Sequence, residues 1–538
     1  MKLALGTAAL CGVLAFLAHG VARELGRTRD LHGAEHAGSD ACARCHPDHH
    51  ASWHRTYHRR MTQEATPDAV IGAFDASLEY FGWTVRLQRR GDAFFARFES
   101  PPIDGETRVE EHRIERTVGS HRYQQYLARV DDVYVRLPFA WHVEESRWIH
   151  MNGAFLTPDP PGEVASRDDF MRHVTRWNDN CIFCHNVAPN PGLRGVRFES
   201  EVAELGVACE ACHGPAAEHV ARNANPLRRY ALHLDLHEDD PTLVSPAALS
   251  DARASEVCGR CHGQRKTDRL DAFLREGDPF VPGDDLAAYS EPLWRDSTLG
   301  GEPAFELRFW EDGTPRLTAY EYQGWLQSPC TADGTPACTA CHGMHEGDPA
   351  GQLRLDAAHD GGCGRCHERD ATPEHDRHAD VACVDCHMPR IVYGLIGGHR
   401  THRVEIPRHD AESARLDACS LCHVEQLFDA FFGGDPIERS LAADAIGRSE
   451  LGDASMLRGW LLDAMAHDPY PAVRRIAFRA LRARSPDVRT EAYRPAGTPS
   501  QRAREVAALR ALAHRVPDPE RVAELRRHAA RHAIEIGE

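Results

Sequence analysis

Cys338-Thr-Ala-Cys-His342, Cys363-Gly-Arg-Cys-His367 and Cys383-Val-Asp-Cys-His387 repeat one pattern three times within residues 338–387. Outward from this stretch the same pattern recurs at Cys42, Cys45 and His46; at Cys181, Cys184 and His185; and at Cys209, Cys212 and His213. It appears again at Cys258, Cys261 and His262, and last at Cys419, Cys422 and His423. Eight copies of Cys-x-x-Cys-His thus absorb Cys341, Cys366, Cys386 and all but two of the 18 cysteines, leaving Cys11 and Cys330. This is the attachment signature of c-type haem. Two residues between the thiols let both sulfurs reach one porphyrin, and the next residue offers an imidazole to its iron from the same side. Zinc ribbons also use paired Cys-x-x-Cys, but they do not require His after every second cysteine. The expected cofactor load is eight covalent haems c with their iron. The proximal ligands are His46, His185, His213, His262, His342, His367, His387 and His423.

The histidine surplus points to the opposite axial position. Of 34 histidines, eight are proximal and His19 lies in the N-terminal apolar segment, which leaves 25. Methionine is scarce at eight, so bis-histidine ligation is expected, with lower potentials than Met/His ligation gives. Most of the 25 are surface residues.

Lys2 followed by the apolar run Leu3–Ala18 reads as an export signal, with cleavage near Ala18-His19-Gly20 or Gly20-Val21-Ala22. The run is short for a bilayer span of about 20 residues; left uncleaved, it would tether the chain to a membrane. A periplasmic or otherwise extracytoplasmic location follows, in keeping with where c-type haem is attached. The formal charge of −18 argues against nucleic acid as a partner and leaves basic redox proteins as candidate donors and acceptors.

The 134 residues between His46 and Cys181 carry no motif. Trp83–Gln88 and Ala93–Phe98 alternate like strands around a Gly91-Asp92 turn, and Val133, Val135, Leu137 and Phe139 form a same-face set. Residues 68–152 are therefore expected to form a small antiparallel β unit, a lid or spacer. From 181 to 423 the chain is rich in Gly, Pro and His with little long periodicity, as expected where porphyrins supply apolar core. Past His423 it turns helical: 455–467 and 472–483 are amphipathic, joined by Asp468-Pro469-Tyr470-Pro471, with further helices near 500–515 and 519–534. This tail is similar to a HEAT repeat and is expected to be separable from the haem region. The fold class expected is mainly α with little regular secondary structure: a multihaem cytochrome c domain, a small antiparallel β insertion and a C-terminal α-helical, HEAT-like repeat. The segments are 1–22 (signal), 38–67 (first haem), 68–152 (β), 170–425 (seven haems) and 430–538 (helical tail).

Cys42-Ala-Arg-Cys-His46 is followed by Trp53 and His58, and Cys209-Glu-Ala-Cys-His-Gly-Pro215 by His219. Cys338–His342 is followed by His345, and Cys383-Val-Asp-Cys-His-Met-Pro389 by His399-Arg-Thr-His402. In these stretches the chain resembles exported multihaem cytochromes related to the nitrite reductase and hydroxylamine oxidoreductase superfamily and its tetrahaem electron carriers. The resemblance covers about residues 38–425. It implies distal ligation by the His a short way past each motif, namely His58, His219, His345 and His402. His378 or His375 ahead of Cys383, and His173 ahead of Cys181, are further candidates. It also implies counterparts for Cys330, most simply a buried thiol. One departure is that catalytic members often carry Cys-x-x-Cys-Lys, whereas neither lysine here, Lys2 or Lys266, follows such a pair. The preferred reading is an electron carrier with no catalytic residues. The alternatives are a multihaem oxidoreductase acting on a small nitrogen or sulfur compound at an open haem, and a binding module that works through the helical tail.

Overall fold

The computed structural model describes residues 31–102, 105–234, 240–331, 336–345, 352–354, 360–368, 372–392, 397–407, 415–515 and 517–537. All sixteen motif cysteines and all eight motif histidines fall within these ranges. The signal segment and Cys11 lie outside them. Among the described residues no helix is long and apolar enough to cross a membrane.

The expectation of a mainly α chain is overturned by a nine-stranded antiparallel sheet, which makes the architecture α+β. Its strands are β1 (Thr62–Glu64), β2 (Ala76–Tyr80), β3 (Trp83–Arg90), β4 (Ala93–Glu99), β5 (Val109–Val118), β6 (Tyr123–Val130), β7 (Val133–His142), β8 (Arg147–His150) and β9 (Thr175–Arg176). Strands β2 to β8 pair in sequence order, while β1 joins β5 and β9 joins β7. The β3–β4 hairpin turns at Gly91-Asp92, with Arg90 opposite Ala93. Val85, Leu87, Phe94, Ala96 and Phe98 bury one face of that hairpin, and Phe139 and Phe170 complete the cluster. The period-2 pattern is what places these side chains together.

Both ends of the sheet lead into haem motifs. Strand β1 starts four residues after His58, and Val207 N–H donates to the His58 carbonyl at 2.9 Å. Strand β9 runs toward Cys181, which is buried with Val118, Leu127, Trp177 and Ile182. The sheet is thus the wall against which the second motif is fixed.

Between Cys181 and His423 the longest described helix is Asp251–Gly259. The tail contrasts with this: its helices are Phe428–Gly433, Pro436–Arg448, Ala454–His467, Pro471–Ala483, Pro499–Leu509 and Pro519–Ala529. Pro at the first turn suits helix entry because its missing N–H would be unpaired there anyway. Asp435 adds a capping box with Glu438.

This tail is not detached, contrary to expectation. Its core continues without a break into Leu156, Phe309, Trp310, Leu317, Tyr320, Leu421 and Val424. Leu156 and Ile536 form a β-bridge. Buried ion pairs cross the same boundary. Arg474 grips Asp159 with two bonds of 2.8 and 2.9 Å, Arg502 joins at 2.8 Å, and Arg316 pairs with Asp435. Arg475 meets Glu145 Oε2 at 2.9 Å, and Arg147 meets the same oxygen at 2.6 Å. Burial would raise the Glu145 carboxyl, but Arg475 and Arg147 outweigh it and hold it down at about 2. A carboxylate depressed from 4.5 in the folded state contributes stability above that value and loses it as pH falls toward 2. The contribution is on the order of 3 kcal/mol. We expect the denaturation midpoint to fall across pH 4.5 to 2, and the Glu145→Gln variant to be less stable at pH 7 with a flatter acid limb. Equal pH dependence in parent and variant would refute this assignment.

Candidate haem-ligand sites

Each motif is a single helical turn. The motif His N–H donates back to the carbonyl of the first Cys at 2.9 Å for His46, 3.1 Å for His185 and His213, 2.9 Å for His262, 3.0 Å for His342 and His367, and 2.8 Å for His423. Cys383–His387 is itself a short helix. Residues three and four apart share a face of such a turn, so two thiols and one imidazole project together in every copy. None of the seventeen described cysteines is in a disulfide.

These residues fit c-type haem. Several imidazoles are held through Nδ1, which leaves Nε2 to face a metal. His213 Nδ1 meets the Val244 carbonyl at 2.8 Å, and His387 Nδ1 meets the Glu405 carbonyl at 2.7 Å. His219 Nδ1 meets Asp240 at 3.1 Å, and His58 Nδ1 bonds Gln352. Burial holds His58, His185 and His345 down at about 4, the neutral form a metal needs. His262 departs from this. Burial would lower it, but the Glu321 carboxylate prevails and pushes it up to about 9.

Ring spacing supplies the second test. Two imidazoles bound to one metal, each nitrogen about 2 Å from it, place their ring centres about 6 Å apart. His213 and His345 stand at 6.0 Å, His58 and His262 at 5.9 Å, His342 and His402 at 6.3 Å, and His375 and His387 at 6.3 Å. The first and third of these pairs are nearly parallel, at 19° and 23°.

The pairing crosses between motifs. His58 follows the first motif in sequence but faces His262 of the fourth. His345 follows the fifth motif and faces His213 of the third. His402 follows the seventh and faces His342 of the fifth. His219 lies near His46 and His213. His46 also has His49 stacked at 6.3 Å, a neighbour that the sequence reading did not single out. His375 stands by His387, whereas His378 is exposed with Nδ1 on the Glu374 carbonyl. His173 is buried with Nε2 on Thr157 at 2.7 Å, and none of its described contacts is a motif histidine. For His185, His367 and His423 the described ring contacts include no opposing imidazole. Cys330 is half-buried and acts on Cys363.

The acceptors behind the imidazoles, Gln352, Asp240, Glu321 and the Val244 and Glu405 carbonyls, escaped the sequence reading. They lie between 18 and 294 residues from the histidines they serve, and nothing in local pattern marks them.

The thiols of the first seven motifs neighbour one another. Cys42 lies beside Cys209, Cys184 beside Cys261, Cys258 beside Cys338, and Cys363 beside Cys383. Cys212 and Cys261 interact, as do Cys341 and Cys363. Asp385, inside the seventh motif, acts on Cys422 of the eighth.

No family model matches the chain, and no curated protein matches it. Two solved structures are similar at low level. The outer cell wall cytochrome OcwA aligns over 88% of this chain and 99% of its own, at 16% identity and a TM-score of 0.46. The octaheme sulfite reductase MccA of Wolinella succinogenes aligns over 94% of this chain and 86% of its own, at 13% identity and a TM-score of 0.32.

Proposed function

We propose that the chain is an extracytoplasmic octahaem c-type cytochrome that passes single electrons along a row of haems, most of them bis-histidine. The observation that carries this reading is the series of neighbouring thiols through the first seven motifs, with the eighth joined to the seventh through Asp385 and Cys422. Thioether sulfurs anchor the porphyrin edge, so touching thiols bring haem edges together, and electron transfer weakens steeply with edge separation. The fourth motif is the junction, because its cysteines meet those of the second, third and fifth. Haem iron, when bound, supplies the one-electron couple. The chain supplies axial nitrogens, neutral tautomers fixed by Nδ1 acceptors, and burial, the levers that set potential. Donor and acceptor are redox proteins docking at the outer haems of this array.

The test is the intact mass of the mature protein, expected to exceed the polypeptide by eight haems, together with eight one-electron steps in a redox titration. A mass without haem would end the reading.

A second reading has one observation behind it. Beside Cys181 stand the buried Arg136 and the buried phenol of Tyr123, and His185 has no imidazole among its described ring contacts. A cation and a hydroxyl suit a small nitrogen or sulfur oxyanion, so an oxidoreductase site belongs there if anywhere. A high-spin signal that nitrite or sulfite perturbs would promote it. A wholly low-spin spectrum supports the carrier.

A further inference from the structure

Helix Glu321–Gln327 touches the ligand segments of two successive haems. On one side Tyr322 N–H donates to the His262 carbonyl at 2.9 Å, and Gln264 N–H donates to the Ala319 carbonyl at 2.9 Å. The Gln323 amide donates to the Gln264 carbonyl at 2.7 Å. Gly259, within the fourth motif, lies so close to the Tyr322 ring that a Cβ there would meet it at 2.6 Å. On the other side the Ser328 hydroxyl donates to the His402 carbonyl at 2.8 Å and accepts from Val404 N–H at 2.9 Å. A Cβ on Gly324 would meet Arg403 N at 2.8 Å. The helix is clamped between the fourth motif and the segment carrying His402.

At the start of this helix, Glu321 Oε2 is buried and lies 3.7 Å from His262 Nδ1. The His402 backbone packs on Gly324, one turn along the helix from Glu321, where a Cβ would meet His402 N at 3.2 Å, so the same charge also reaches His402. The contrast with other motif histidines is instructive: His213 and His387 have neutral backbone carbonyls behind Nδ1. A full negative charge behind an axial imidazole favours the oxidised, more positive iron. A carbonyl dipole does so less.

We propose that Glu321 is a positioning residue that lowers the reduction potentials of two neighbouring haems together, the one held by His262 and His58 and the one held by His342 and His402. The first is the junction haem and the second its neighbour, so an electron rests on the outer haems rather than at the branch. The proposal depends on the ligand assignment made above. A chain without covalent haem would sink that assignment, whereas a fully loaded chain with unmoved potentials would sink this proposal alone.

The experiment is spectroelectrochemical titration of the full chain as parent, Glu321→Gln and Glu321→Asp, with haem content measured on each. In Glu321→Gln two of the eight steps should move to higher potential, changing the oxidised-to-reduced ratio at those haems roughly tenfold, while six stay in place. The low-spin spectrum should be unchanged, and Glu321→Asp, which keeps the charge, should titrate close to the parent. No shift, a shift of one step, or a shift of all eight would overturn the proposal. If Glu321→Gln fails to load eight haems, Glu321→Asp decides: parent-like loading and potentials support the role of the charge, and haem loss there too makes Glu321 structural and overturns it.

Discussion

Truncation after residue 429 is expected to abolish accumulation of the haem-loaded protein rather than release an independent tail. The helices after that point cover Leu156, Phe309, Trp310, Leu317, Tyr320, Leu421 and Val424, which belong to the same core as Leu441, Leu461 and Phe478. Baring a large apolar side chain costs about 1.5–3 kcal/mol, so seven of them cost on the order of 10 kcal/mol or more. That is comparable with the whole stability of a typical domain, about 5–15 kcal/mol. The cut also strips Arg474 and Arg502 from Asp159, and Arg475 from Glu145. Haem attachment follows export and needs a chain that survives to be loaded, so the effect should appear as loss of haem-stained protein and rapid proteolysis. A truncated chain that carries eight haems and unfolds at the parent's midpoint would disprove the shared core.

The limits of the sequence reading follow from which constraints are local. Covalent attachment demands two thiols and an imidazole on one turn, so all eight sites stand in the sequence as five-residue words. The β3–β4 hairpin was equally legible, because Val85, Leu87, Phe94, Ala96 and Phe98 alternate around Gly91-Asp92. Strand β7 was legible too, through Val133, Val135, Leu137 and Phe139, whereas β5 and β6 were not. Strand β6 is buried on both faces from Tyr123 to Ala128 and lost its alternation, while β5 opens on Val109-Glu110-Glu111-His112-Arg113, a run that reads as solvent-facing loop. Only the two hairpin strands and β7 stood out as strands in a region expected to be a small insertion, which is why the chain looked mainly α. Four of the tail helices were placed well, because 3.6-residue periodicity is local too, whereas Phe428–Gly433 and Pro436–Arg448 were not picked out. What the tail helices pack against is not local, since Asp159 and Arg474 lie 315 residues apart.

Replacing His58 with Met should raise the potential of one haem sharply, and that haem should be the one attached at Cys258 rather than the one at Cys42. Proximity in sequence argues for Cys42, only 16 residues upstream. The fold argues otherwise. The chain passes through helix Pro47–Trp53, and Trp53 is pinned by its indole N–H to the Val207 carbonyl at 2.9 Å. The His58 carbonyl is held by Val207 N–H, its Nδ1 by Gln352, and its ring by stacking on Trp53 at 5.4 Å. What remains free is the edge facing His262, 5.9 Å away. Met/His ligation favours reduced iron over bis-His ligation, so a single titration step should move up by a large margin while seven stay put. The identity of that step can be read without a label, because it must be one of the two that Glu321→Gln also moves, and the two substitutions should act on it together. A shifted step outside that pair would return His58 to the haem at Cys42 and break the crossed pairing on which the junction rests.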